Sequence, residues 1–256
     1  MPVRLGVHSD RLTEIRSLSS VKGRTQADRF AFEGPTLLAE ARSGGVPILE
    51  IYATEAAYAA APLVAEVEAS GTPVYIVDDR AARKISDLET PTGIVAVTPL
   101  RLRPLADLMR GPVLLLADLN DPGNAGTLLR SAEAFGASGV VFGNLGVDPF
   151  HPKVVRGAMG ALFRLPLASA TPEELASAAR AAGLPIFGLA MGAEAVANIS
   201  FPPDFILAVG HERHGLGRWE GLCTRLAGIP MRGEGESLNA GVAGSIALYE
   251  AMRGRR

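Results

Sequence analysis

The chain has 256 residues, of which 48% are hydrophobic and 20% charged, and its formal net charge is −2. That length suits two modest domains with ample apolar material for a core, and the near-neutral balance argues against a protein that simply coats nucleic acid. No apolar run is long enough to span a bilayer, and one cysteine, Cys223, with four histidines leaves neither an internal disulfide nor a Cys/His zinc cluster.

The opening MPVRLGVHSDR lacks an apolar segment and a small-residue cleavage site, so a cytoplasmic protein is expected. Arg11, Arg16, Lys22, Arg24 and Arg29 then face only Glu14 and Asp28, which reads either as a solvated helix face or as a phosphate-contacting surface. Apolar periodicity predicts a helix over 11–19, a strand over 30–33, and a helix from Pro35 that Gly44 and Gly45 end. Strands over 48–53, 74–77 and 94–97 complete a small α/β layer. Three prolines in residues 98–112 mark a linker, which sets a first domain at 1–98, a connection at 99–111 and a second domain at 112–256.

The second half alternates regularly. VLLLA at 113–117 precedes the loop and helix of NDPGNAGTLLRSAEAFG, and VVFG follows at 140–143. A short helix is expected within 153–161. In TPEELASAARAAG, Thr171 and Glu174 form a capping box, Pro172 takes the first helical position and Gly183 stops the helix. Strands at 186–190, 205–210 and 226–230 lead to a last helix after Asn239. Continuous apolar strands alternating with helices predict an α/β domain with a parallel sheet covered on both faces, whose ligands sit beyond the strands' C-terminal ends.

Three polar, glycine-containing segments fall at those ends. In the first, Asn124 is a plausible helix cap, Leu128, Ala132 and Phe135 are spaced to face the core, and Arg130 lies off that stripe. Arg130 either reaches back over the loop or pairs with Glu133 on the surface. In the second, GHERHGLG at 210–217, His211 and His214 are three apart rather than four and the glycines oppose a helix, so no metal is expected. In the third, residues 229–253, Ser237 or Asn239 can cap a helix carrying Ala240, Ala243, Ala247 and Ala251 as a small-residue stripe. Gly241 and Gly244 inside that helix each cost about 1 kcal/mol relative to alanine, so a partner helix or a ligand is expected to approach closely.

Taken in this order, NDPGNAGTLLRSAEAFG, VGHERHGL and IPMRGEGESLNAGVAGSIALYEA resemble the three signature motifs of the SPOUT class of RNA methyltransferases, specifically the TrmH/TsnR (SpoU) family of ribose 2'-O-methyltransferases. SLSSVKGRTQADRFAFEGPTLLAEA resembles the substrate-binding domain of that family's ribosomal-RNA branch. The resemblance implies a C-terminal SPOUT domain with a trefoil knot beside a smaller N-terminal α/β substrate-binding domain. It implies S-adenosylmethionine as methyl donor, held by Gly210, Ile229 and Leu238, with Leu189, Gly192 and Met231 nearby. It places Arg130, Asn124, Glu212, Ser237 and Asn239 at the catalytic site and 23S ribosomal RNA as substrate. Arg11, Arg16, Lys22, Arg24, Arg29 and Arg156 are candidate RNA contacts, Arg156 also fitting a subunit contact or a structural salt bridge. A homodimer built partly by the last helix is expected. The alternatives are an inactive RNA-binding or ribosome-assembly protein of the same fold and a transfer-RNA ribose methyltransferase; a nucleotide-dependent enzyme lacks its Gly-Lys-Ser/Thr loop here.

Overall fold

The computed structural model describes residues 2–233 and 237–253. The chain forms two compact units, Met1–Leu100 with Phe150–Phe163, and Arg101–Pro149 with Arg164–Arg256.

The first unit runs β1 (Val3–Leu5), α1 (Asp10–Ser17), α2 (Val21–Ala27), β2 (Arg29–Glu33), α3 (Pro35–Ser43), β3 (Glu50–Thr54), α4 (Glu55–Ala60), α5 (Pro62–Ala69), β4 (Val74–Val77), α6 (Asp79–Ile85) and β5 (Ile94–Pro99). Its five-stranded sheet has the order β1-β4-β3-β5-β2, parallel from β1 to β3 and antiparallel where β5 meets β3 and β2. Strand β1 and helix α2 were not anticipated. A strand of three residues has too little alternation to read, and α2 depends on a tertiary contact: a side chain at Gly23 would place its Cβ 2.0 Å from the Ser17 carbonyl oxygen. Ser20 caps α2 by accepting from the Gly23 N–H. Arg24, expected to meet RNA, is instead 1% exposed, and its guanidinium donates to the carbonyls of Leu18 at 2.9 Å and Ser19 at 3.0 Å. It satisfies backbone groups just beyond the C-terminal end of α1 and is a residue of the fold.

The second unit contains β6 (Pro112–Ala117), α7 (Pro122–Ala134) and β7 (Gly139–Gly143). Next come α8 (Pro152–Gly157) and α9 (Ala161–Arg164); residues 150–163 cluster with the first unit, although in sequence they lie inside the stretch expected to form the methyltransferase domain. Phe150 packs on Phe30 with ring centroids 4.8 Å apart, and Phe163 stands edge-on to Phe32 at 5.0 Å. The chain then returns through β8 (Leu167–Ala170), α10 (Pro172–Ala182), β9 (Ile186–Ala195), β10 (Phe205–Gly210), a 3-10 helix over Gly217–Leu222, β11 (Arg225–Gly228) and α11 (Ala240–Met252). The capping box of α10 forms as expected, and Gly183 ends it in the left-handed region.

Six parallel strands in the order β11-β9-β10-β6-β7-β8 make the second sheet. Its central strands are fully buried, which explains why they are written as unbroken apolar runs. Val113, Leu115, Ile206 and Ala208 pack with Leu175 and Ala179 of α10 and with Trp219; on the other face Val209 meets α11. Ala117 is paired with Gly210 and Leu116 with Phe142, so β6, β7 and β10 release their loops at one level. Chain direction across the sheet changes between β6 and β10, and that is where an open α/β sheet presents its crevice.

Candidate active site

Two loops meet at this crevice, one after β6 and one after β10. Asp121, rather than Asn124, is the N-cap of α7: its carboxylate accepts from the Asn124 N–H at 2.7 Å, with Pro122 at the first helical position. Asn124 is thereby freed from capping. It is buried in the first turn, and its Nδ2 donates to Glu212 Oε1 at 2.8 Å, while the Asp121 N–H reaches the same oxygen at 3.3 Å. Burial by itself raises the pKa of Glu212, but bonds from Asn124, from its own N–H and from those of Asp121 and Asn120 outweigh it and hold the carboxyl below the usual range. An ionised carboxylate at a helix N-terminus also suits the helix dipole. Behind it the loop doubles back tightly: His211 and Gly215 exchange both backbone hydrogen bonds, and a Cβ on Gly210 would lie 2.2 Å from the Gly215 carbonyl.

The last helix closes the site from a third direction. Asn239 caps α11, its Oδ1 accepting from the Val242 N–H at 3.1 Å. A Cβ on Gly241 would lie 3.1 Å from Asn124 Oδ1 and 3.2 Å from Asn239 Oδ1, so both asparagines sit against one glycine. Glu212, Asn124 and Asn239 are thus brought together, with Ser237 exposed just ahead of Asn239. The expected alanine stripe is shifted: the buried line is Gly241, Gly244, Ala247, Leu248 and Ala251, and it packs on α7 of the same chain. Gly244 has to be glycine because its Cβ would lie 2.5 Å from Leu128 Cδ2 and 2.8 Å from Val209 Cγ2. Ser131 and Ser245 join the two helices through their hydroxyls at 2.6 Å. Phe135, expected in the core, is half-buried and stands edge-on to Tyr249.

Two of the stretches that carry candidate donor-binding residues, the end of β9 and the chain after β11, lie side by side. Strand β9 pairs with β11 through Gly188, leaves the register, and rejoins it at Glu194, so residues 189–193 form an excursion that contains Leu189 and Gly192. Gly192 is exposed at φ +70°, a conformation natural to glycine. Gly228 allows the chain after β11 to pass close by, since its Cβ would lie 2.7 Å from the Ala193 carbonyl oxygen. Ile229 follows directly, and Met231 and Leu238 expose apolar surface on either side of residues 234–236. Those three residues of the third motif lie outside the described residues.

With this geometry in hand, comparison with known proteins is decisive. Residues 111–249 match the SpoU rRNA Methylase family and residues 10–96 the MRM3-like substrate binding domain. The chain belongs to the SpoU methylase family. It is 30% identical to the 23S rRNA (guanosine(2553)-2'-O)-methyltransferase RlmP of Bacillus subtilis over 96% of this chain and 97% of that one. An AdoMet-bound rRNA methyltransferase from Sinorhizobium meliloti is similar in structure with a TM-score of 0.88, at 29% identity and 99% coverage of both chains. The SpoU methyltransferase AviRb from Streptomyces viridochromogenes, in complex with the cofactor AdoMet, has a TM-score of 0.86 at 30% identity, covering 97% of this chain and 98% of that one.

In this SpoU methylase Arg130 stands apart from the assembled residues. It is exposed, makes no hydrogen bond or ion pair among the described residues, and does not pair with Glu133, which is held by Arg164. It follows Asn124 by six positions in α7, which places it about 9 Å further along the axis. Of the other cations, Arg11 and Arg29 share the buried carboxylate of Glu50 at 2.9 and 3.0 Å, and Arg16 bonds to the Ser86 carbonyl and Asp87. Lys22 is exposed; Arg156, in α8, borders a narrow cleft of the first unit with Glu33 and Asp87. No cluster suited to a metal occurs among the described residues. Sequence reasoning missed Asp118, Asn144, Arg218 and Trp219, which join at the end of β6. Nothing in a lone aspartate after an apolar run announces a partner so far along the chain.

Proposed function

We propose that the protein transfers a methyl group from S-adenosylmethionine to a ribose 2'-oxygen in RNA, with 23S ribosomal RNA as substrate. The carrying observation is the Glu212–Asn124 bond, which joins the loops after β6 and β10 at the switch point of the parallel sheet in a SpoU-family chain. The RNA reading is supported by RlmP, whose name gives 23S rRNA as its substrate. The exposed Gly192, Met231 and Leu238 offer main chain and apolar surface along one edge, as an adenosine requires. Leu189, Gly210 and Ile229 complete the proposed donor site. The C-terminal part is read as the trefoil knot of this class, consistent with β9 lying between β10 and β11.

When bound, S-adenosylmethionine supplies an electrophilic methyl on a positively charged sulfur. The chain's own residues hold the ribose oxygen in line with it, and such positioning accounts for much of the acceleration. A guanidinium has no acceptor lone pair with which to take a proton, so Arg130 clamps the neighbouring phosphate and stabilises the developing alkoxide. Asn124 and Asn239 orient the ribose and loops, Ser237 hydrogen-bonds beside them, and Glu212 fixes the loops. Arg11, Arg16, Lys22, Arg29 and Arg156 remain the proposed RNA contacts. The protein is read as a cytoplasmic homodimer; the dimer is supported by Val242, Ile246 and Tyr249, which are 46%, 39% and 50% exposed along α11.

The test is transfer of labelled methyl groups from S-adenosylmethionine to 23S rRNA, with the modified ribose mapped. Arg130→Ala is expected to keep donor affinity while turnover falls roughly 100-fold or more; undiminished turnover removes the arginine from the mechanism. Donor binding with no transfer to any ribosomal RNA would leave a transfer-RNA ribose methyltransferase or an inactive RNA-binding protein of the same fold, which the same assay on transfer RNA tells apart.

A further inference from the structure

Asp118 is the first residue after β6 and has a φ of +53°, a conformation side chains rarely adopt. Its carboxylate accepts from Arg218 Nε at 2.7 Å and Nη2 at 3.1 Å, from Trp219 Nε1 at 2.8 Å, and from the Leu145 N–H at 3.2 Å. Arg218 also donates to Asn144 Oδ1, and its guanidinium lies 5.3 Å from the ring centroid of Trp219, whose side chain is buried with Leu216 and Ala117. Two glycines make room for this arrangement. A Cβ on Gly143 would lie 2.4 Å from Asp118 Oδ1, and one on Gly146 2.8 Å from the Leu119 carbonyl oxygen. One carboxylate therefore gathers the ends of β6 and β7 and the start of the 3-10 helix over Gly217–Leu222.

The loop over 211–217 is consequently fastened at both ends. Glu212 holds one end to the start of α7, and Arg218 with Trp219 holds the other to Asp118. The Arg218 fork is bidentate and charge-assisted, the geometry that fixes orientation as well as distance. We propose that Asp118 is a positioning residue for methyl transfer: through Arg218 and Trp219 it sets the loop after β10 so that Glu212 meets Asn124. This rests on placing Glu212 and Asn124 in the methyl-transfer site.

Trp219 is the chain's single tryptophan, so its emission reports the latch independently of activity. Asp118→Gly removes the carboxylate and relieves the positive φ, which leaves the backbone path intact. At a temperature where the variant is folded by circular dichroism, Trp219 emission should shift, kcat should fall roughly 100-fold, the magnitude that about 1 Å of misplacement brings, and KM for RNA should stay within about twofold. Arg218→Lys, which keeps the charge but loses the fork, should retain part of the activity. Wild-type kcat in Asp118→Gly, with Trp219 emission showing the bond gone, overturns the proposal. If Asp118→Gly does not fold, the near-isosteric Asp118→Asn decides it in the same way: lowered kcat at unchanged RNA KM supports the latch, and wild-type kcat removes it. Glu212→Ala, which removes the acceptor for Asn124, is measured in parallel. Normal turnover there refutes the site assignment, and the latch falls with it; impaired turnover with a normal Asp118→Gly refutes the latch alone.

Discussion

Glu212 illustrates how a single carboxylate can join two loops. Its carboxyl is held below the usual range, so its ionised form stabilises the folded protein fully above an unfolded value of about 4.3. That contribution is lost as pH falls through the lower folded value. Glu212→Gln keeps an acceptor for Asn124 but removes the charge, so the variant should melt below the wild type at neutral pH. The gap should close as the melting temperature is followed from pH 6 down to about pH 3; a constant gap would show that the charge plays no part. Asp118 behaves alike: burial raises its pKa, but Arg218, Trp219 and Leu145 together bring it down. The motifs singled out both Glu212 and Asn124, which the structure brings into contact, yet Asn124 as the cap of α7 was the wrong reading of a correct helix. Asp, Pro, Gly and Asn all favour helix starts, and which one caps depends on where β6 releases the chain.

At the level of elements, the contact of α7 with α11 decides the form of the site. Gly241 and Gly244 let the two helices approach until Asn124 and Asn239 flank one glycine. Gly244→Ala gains about 1 kcal/mol in helix propensity but drives a methyl into Leu128 and Val209, and overpacking of that kind costs about 1–3 kcal/mol. The variant should therefore unfold at lower denaturant concentration than the wild type, and adding Leu128→Ala should give a combined loss smaller than the sum of the two single losses, because the sites touch. An unchanged midpoint for Gly244→Ala alone would mean that the helices part freely. The glycines signalled a close approach in the sequence. Whether a helix or a ligand came close was not written there, since both need the same absence of a side chain.

For the whole molecule, the first unit is discontinuous in sequence. Phe150 and Phe163 complete it by packing on Phe30 and Phe32. A fragment of residues 101–256 should therefore expose these rings and the aliphatic side chains of Val154, Val155 and Leu162, which are buried in the full chain. It should aggregate or bind a hydrophobic dye strongly, whereas Phe150→Ser with Phe163→Ser in the fragment should restore solubility. A fragment that is monodisperse and silent to the dye without those changes would show that residues 150–163 fold independently of the first unit.

Periodicity and turn chemistry were sufficient for what is local or repetitive. Buried parallel strands must be apolar throughout, amphipathic helices must show their stripe, and capping box and glycine stops act within a few residues, so the α/β class, the parallel sheet covered on both faces and the loops at the strand ends were all readable. The three motifs added the family. Only the tertiary structure decided which partner each polar side chain found: Glu212 for Asn124, Arg218 and Trp219 for Asp118, backbone carbonyls for Arg24. Hydrogen bonds between residues a hundred positions apart depend on strand register and loop exit, and a linear chain carries those quantities only through the packing of every element at once.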